Sequence, residues 1–254
     1  MTIASGNVRI VPPQPPGSSC SLDGPTFTEL QRIREAYARR QRSIPASRYS
    51  PLDRAHVFQT DELKRSIVRL LRRRNASLLA EGRILDVGCG DARWLRVLGE
   101  FGAKPQNLTG IDLLPERIDL ARQLCSPRTT LVCGDASSLP FADSSFDILL
   151  SFTLFSSIRN PALKASLAWE MLRVLRIGGI VLWYDFRVNN PRNPDVSGIT
   201  EREVEALFSG RRVELERITL APPLARLVAW SNPLLKAFSN ARFLRTHYVG
   251  LVAK

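Results

Sequence analysis

Apolar and polar positions change rhythm along the 254-residue chain. Residues 1–25, rich in Pro, Gly and Ser, show no periodic apolar pattern and read as a disordered tail. In TFTELQRIREAYARRQR, residues 26–42, Phe27, Leu30, Ile33 and Tyr37 recur at helical spacing. SIPASRYSPLD, with two prolines, breaks that helix. A second helix is predicted from about Thr60, with Thr60 as N-cap and Asp61 and Glu62 in the first turn. Leu63, Ile67, Leu70 and Leu71 form its apolar stripe. Residues 26–79 thus read as an N-terminal helical cap.

From residue 83 short apolar runs alternate with helical patterns. Strands are predicted near 83–87, 108–112, 130–133, 146–152 and 179–186. Helices fall between them, notably 115–124 and 161–175, with Pro115 and Pro161 in their first turns and RIGG closing the second. Such alternation implies an α/β domain with a parallel sheet and right-handed crossovers. A short helix at 200–208 and a strand at 212–219 follow. A long apolar and basic stretch at about 221–244 reads as a helical insertion, and THYVGLVAK as the closing strand.

Composition narrows the class. No run of about 18 apolar residues appears, so no spanning helix is expected. The N-terminus lacks the apolar middle of a signal peptide. Cys20, Cys89, Cys125 and Cys133 form no CxxC pair, which argues against zinc and against a disulfide framework, and no metal is expected. A cytoplasmic protein is expected. The net charge of +12 is uneven: residues 1–79 hold 14 bases against 6 acids, the remainder 22 against 18. That excess fits a solvated helix face, or attraction to RNA, a phospholipid surface or a phosphorylated substrate.

Candidate chemistry sits at the predicted strand ends, where open α/β sheets bind ligands. The first strand ends in Asp86-Val87-Gly88, and Gly88 and Gly90 leave the backbone bare. Arg93 stands where a dinucleotide fingerprint needs glycine, and no P-loop lysine is present. Asp112, at the end of the second strand, is placed to accept from ribose hydroxyls. Asp135, after the third, is placed to accept from an exocyclic amine. Asp86 also reads as a turn cap, Asp135 as an Asx-turn residue and Asp112 as a surface acid.

ILDVGCGDA, TGIDLLPERIDLAR, GDASSLPFADSSFDILLS and EMLRVLRIGG resemble, in order, the motifs of class I S-adenosylmethionine-dependent methyltransferases, over roughly residues 80–190. The resemblance implies a Rossmann-like seven-stranded sheet, mostly parallel with an antiparallel last strand and helices on both faces, filling residues 80–254. It implies S-adenosylmethionine as cofactor. Gly88, Cys89 and Gly90 would line its methionine part. Asp86 would orient the loop and accept from the ammonium. Asp112 would hold the ribose and Leu113 pack on the adenine. Asp135 would take the adenine amine beside Ala136, and Phe152 and Thr153 would border the methyl group. Ala92 and Ile177 depart from a third glycine and a proline common in the family. RYSPLD, WYDFRVNNPRNPDVSGI, LAPPLAR and LRTHYVGL resemble a bacterial subgroup associated with cell-surface polysaccharide assembly.

Methyl transfer to a hydroxyl needs alignment and a base. Asp185 ends strand five, and in this fold His247 begins the neighbouring strand, so either is a candidate base, or the two act as a hydrogen-bonded pair. Asn189, Asn190 and Arg192 suit a hydroxyl-rich or phosphorylated substrate, and Tyr49, with Arg48, is placed to fold over the cofactor. The apolar and basic 221–244 segment reads as a helical cover on the sheet edge, or as a lid or interfacial contact for a lipid-linked substrate. The expected function is O-methylation of a small molecule or of a sugar or glycan hydroxyl, with peripheral contact to the inner membrane. The alternatives are an RNA methyltransferase, though no Asn/Asp-Pro-Pro-Tyr motif or RNA-binding module is present, and a non-catalytic cofactor-binding scaffold.

Overall fold

The computed structural model describes residues 25–43, 50, 52–74, 77–190 and 193–254. The tail at 1–24, Tyr49 and Arg192 lie outside the described residues. Among the described residues three helices come first: α1 (Pro25–Ser43), α2 (Arg54–Arg74) and α3 (Ser77–Glu81). Then follow β1 (Ile84–Val87), α4 (Arg93–Glu100), β2 (Leu108–Asp112), α5 (Pro115–Leu124), β3 (Thr130–Cys133), β4 (Phe146–Phe152) and α6 (Pro161–Val174). The chain closes with β5 (Leu175–Phe186), α7 (Glu201–Leu207), β6 (Arg212–Leu220), α8 (Pro222–Val228), α9 (Asn232–Asn240) and β7 (Arg245–Ala253).

The seven strands lie in the order β3-β2-β1-β4-β5-β7-β6. β1 pairs in parallel with both β2 and β4, and β7 runs antiparallel between β5 and β6. Connections leave β1 towards both sides of the sheet, so a crevice opens between the C-terminal ends of β1 and β4. β1 is buried at all four positions, as an interior parallel strand must be.

Two apolar layers sandwich the sheet. Leu85, Val87, Leu149, Val181 and Trp183 face Leu163, Leu167 and Met171 of α6 and Val204 of α7. Ile84, Ile148, Leu150, Leu182 and Leu251 face Leu95 and Leu98 of α4 and the Leu63–Ile67–Leu70–Leu71 stripe of α2. The 26–79 segment therefore divides. α2 builds the covering layer of the sheet, whereas Leu30 and Ile33 of α1 pack beside the cleft.

Two expectations shift. α2 starts at Arg54, not near Thr60, because Asp53 caps it: its Oδ1 accepts from the His56 amide at 2.9 Å. Thr60 lies inside the helix, where its hydroxyl accepts from Arg93 at 3.2 Å. RIGG does not close α6. That helix ends at Val174 and β5 begins at once, with Gly178 at φ 78° and a register shift against β4 between Phe146 and Ile148. The 221–244 insertion is two short helices and a single 3-10 turn, Arg242–Leu244.

Candidate cofactor cleft

The loop after β1 is held from behind. The amides of Gly88 and Cys89 both donate to the Ile111 carbonyl, at 2.8 and 3.0 Å, and the Gly90 amide donates to Asp112 Oδ2 at 2.8 Å. These bonds impose left-handed backbone at Gly88 (φ 75°) and Gly90 (φ 56°), which glycine adopts without strain. Ala92 follows at φ 56°, so this departure from a third glycine keeps the glycine conformation, at a cost of about 1–2 kcal/mol for an L-residue.

Asp86 lies beneath the loop, 2% exposed, and its Oδ2 has no hydrogen-bond partner. Burial, reinforced by Asp112 and Asp91, pushes its pKa up to about 8. An orphaned carboxylate in a pool of acids is expensive. It becomes reasonable beside a ligand that brings a cation. The residues present thus fit the ammonium-bearing end of S-adenosylmethionine.

The cleft runs from Gly88 past Ile111, Asp112, Leu113, Gly134, Asp135 and Ala136 to Phe152 and Thr153 at the end of β4. Asp112 accepts from the amides of Gly90 and Leu114, at 2.8 and 3.0 Å. A carboxylate has about four acceptor sites, so capacity for hydroxyls remains. Asp135 forms an Asx turn with Ser137, accepting from its amide and hydroxyl at 2.8 Å each, and also lines the cleft. Thr153 stands at φ 54°, a real outlier for a β-branched residue. Its amide donates to the Tyr184 carbonyl at 2.7 Å, which ties the ends of β4 and β5 together.

Cys89 does not face the cleft. It is buried, and its sulfur packs behind Gly110, 2.8 Å from where a Cβ would stand. Gly90 is buried beneath Arg117, whose Nη1 lies 3.0 Å from the site of a Cβ. Arg117 in turn stacks on Tyr37 of α1 at 4.6 Å. Tyr37, Leu30, Ile33 and Arg117 all line the cleft, and sequence reasoning missed them as site residues. The α1 stripe was visible, but an apolar stripe does not say which surface it covers.

The candidate bases behave differently. Asp185 is fully buried, and its carboxylate accepts from the amides of Ser156 (3.0 Å) and Phe186 (2.8 Å). Burial raises its pKa to about 6 against those bonds. His247 is buried and stacked on Tyr184, with centroids 4.8 Å apart, and burial pushes its pKa down to about 3. In the register Asp185 faces Tyr248 and Phe186 faces His247. Neighbouring strand residues point to opposite faces. The two side chains therefore cannot form a hydrogen-bonded pair, and neither lines the cleft. Asn189 accepts from the Gly198 amide at 2.7 Å and braces its loop, and the Asn190 carbonyl accepts from the Asn193 amide at 2.9 Å. Neither asparagine lines the cleft.

Among the described residues no group of three or more His, Cys, Asp or Glu side chains could hold a metal, and no helix is long and apolar enough to cross a membrane. Part of the basic excess is spent internally, in Arg69–Glu216, Arg74–Glu214 and Lys64–Glu100 pairs.

Residues 84–179 match a family described as a methyltransferase domain. A fatty-acid O-methyltransferase of Mycolicibacterium smegmatis is 36% identical over 133 residues, which cover 52% of this chain and 47% of that protein. A demethylmenaquinone methyltransferase of Staphylococcus epidermidis is 30% identical over 157 residues, 61% of this chain and 57% of the relative. The chain thus spans about half the length of these curated relatives. A SAM-dependent methyltransferase from Methanosarcina mazei shares the fold, with TM-score 0.52 and 20% identity over 69% of this chain and 93% of that one. Residues 84–179 are thus similar to a methyltransferase domain, and the fold is shared with a solved SAM-dependent methyltransferase.

Proposed function

We propose that the protein transfers a methyl group from S-adenosylmethionine to a small apolar or lipid-like acceptor. The observation that carries this reading is the buried carboxyl of Asp86, one oxygen without a partner, beneath a glycine loop whose Gly88 lines the cleft. When bound, the cofactor supplies an electrophilic methyl group on a sulfonium. Asp86 answers its ammonium through the loop, Asp112 accepts from the ribose hydroxyls, and Asp135 accepts from the adenine amine. Leu113 and Ala136 give the adenine its apolar walls. Phe152 and the strained Thr153 fix the wall at the end of β4, where the acceptor approaches in line. α1 covers the cleft with Leu30 and Ile33 and excludes water.

The lining supports this acceptor class. Leu30, Ile33, Leu154, Ile158, Leu163 and Leu167 make much of it apolar; among the described residues no His, Lys or Cys lines it, and its two carboxylates, Asp112 and Asp135, are taken up by the cofactor in this reading. A sugar hydroxyl needs a base to become a nucleophile. A carboxylate arrives ionised, and a phenol or hydroquinone ionises far more readily. The fatty-acid and demethylmenaquinone methyltransferases among the relatives bear names of this acceptor type.

The test has two stages. Calorimetry with S-adenosylmethionine and S-adenosylhomocysteine should show binding; failure of both to bind sinks the reading. Transfer of labelled methyl groups to fatty acids, quinols and lipid-linked sugars should then favour the first two. Labelling confined to the sugars would restore the glycan acceptor.

A further inference from the structure

The outer side of the 221–244 insertion takes no part in the cleft. α8 and α9 bury Ala225, Val228 and Leu235 against Ala55 and Leu220. Arg54 ties α2 to the segment, donating to the Trp230 carbonyl at 3.2 Å and to Asn232 Oδ1 at 3.3 Å. Arg226 and Leu227 of α8 are exposed, as is Trp230 in the turn after it. Leu227 is 69% exposed, Trp230 72% and Phe243 78%. Arg226, Lys236 and Arg242 are exposed among them, and no Asp or Glu follows Glu216 in the chain.

The sheet places this face. β7 is antiparallel to both β5 and β6, so β6 runs with β4 and β5. The C-terminal end of β6 at Leu220 therefore lies on the cleft's edge of the sheet. There the Ala221 amide donates to the Leu244 carbonyl at 2.9 Å and closes the insertion. Three strand steps separate β6 from β4, about 14 Å at the usual strand spacing.

We propose that the outer face of α8, α9 and the Arg242–Leu244 turn docks on an anionic phospholipid bilayer. Leu227, Trp230 and Phe243 enter the interfacial region, and Arg226, Lys236 and Arg242 meet headgroup phosphates. Charge selects this occupant. Aromatic and aliphatic side chains among cations, with Arg217 and the acid Glu201 beside Arg242 and Phe243, leave the face net positive and match an anionic interface. A second copy would bring the same positive face and be repelled. The proposal rests on the lipid-like acceptor reading for its purpose, since docking at this edge brings a bilayer-borne acceptor to the cleft.

The experiment is flotation of the full chain with phosphatidylglycerol/phosphatidylcholine vesicles and with phosphatidylcholine vesicles, at low and high salt. The protein should float with the anionic vesicles at low salt and be released by salt. R226Q/K236Q/R242Q should lower partition by about a hundredfold, roughly fivefold per cation removed. W230S/F243S should lower it with melting temperature unchanged, as expected for exposed positions. The proposal is overturned if the protein ignores anionic vesicles at low salt, or if both variants float as the parent does. It is also overturned if the variants abolish a dimer seen by sedimentation velocity and leave flotation unchanged. Calorimetry with S-adenosylhomocysteine, run without vesicles, separates the two ideas: its failure strikes the transferase reading and leaves the flotation result standing.

Discussion

Two buried aspartates at strand ends, on the same edge of one sheet, are in opposite condition. Asp86, in the parallel half, has an orphaned oxygen beneath a bare loop. Asp185, beside the antiparallel half, accepts from two amides, and neither aspartate itself lines the cleft. Both are pushed towards neutrality by burial, to about 8 and about 6. Position on the ligand edge thus does not make an acid functional; an unmet need for a partner does.

The largest effect should come from breaking that contrast at Asp86. Asp86→Asn should weaken S-adenosylhomocysteine binding by about a hundredfold, the scale of losing one partner of a buried charge pair. Asp185→Asn should leave that affinity unchanged but lower stability by about 1–3 kcal/mol, since one amide loses its acceptor. Linkage gives an independent signature. A carboxyl whose folded pKa is raised binds its proton longer in the folded state, so its contribution to stability falls as pH rises from about 4 to about 8. Denaturant melts of Asp86→Asn should lack this slope and overtake the parent near pH 8. Below that pH, cofactor binding should release a proton from Asp86, read as a buffer-dependent enthalpy. Equal affinity losses in the two variants would erase the distinction between the halves.

Smaller effects follow along the cleft. Gly88→Ala puts a Cβ at φ 75°, 2.9 Å from Leu154 Cδ1. The strain of about 1–2 kcal/mol should appear as a lower melting temperature, with cofactor affinity reduced about tenfold as the loop shifts. Ile33→Ala removes a buried contact between α1 and the cleft. It should weaken the cofactor by about threefold to fivefold, less than a fully buried truncation, because the cover and not the floor is altered. An Ile33→Ala affinity below that of Asp86→Asn would move the centre of recognition from the loop to α1.

The parallel half was the more legible in the sequence for a physical reason. Local chemistry fixes it: β1 is four buried residues, its loop needs left-handed backbone, and Asp112 binds that loop from 22 residues away through one amide. Each constraint leaves a residue type at a fixed spacing. Cys89 escaped because the motif fixes its backbone and not its side-chain direction. The antiparallel half depends on register, which turns on pairing between β5 and β7 across about sixty residues of chain. Asp185 and His247 differ by one position in that register, enough to put them on opposite faces. α1 escaped for the same kind of reason: Leu30, Ile33 and Tyr37 announce a helix face but not its target.

The smallest effect on catalysis should come from His247, and its acid behaviour makes the test decisive. The ring lies between Tyr184 and Phe186, with centroids at 4.8 and 4.0 Å, and Nδ1 shares a 3.0 Å hydrogen bond with the Thr246 hydroxyl. Burial holds its pKa near 3 against an ordinary 6.5. Between those values the unfolded chain binds a proton that the folded chain refuses, so stability is complete above about 6.5 and declines as pH falls towards 3. His247→Phe keeps the aromatic stack and removes the titration. Its melting temperature should therefore fall less than the parent's between pH 6.5 and 4, and kcat/KM should stay within about twofold, since no group touching the cleft has changed. A general base would give the reverse: turnover lost by orders of magnitude, its acidic limb gone, and an unaltered acid melt.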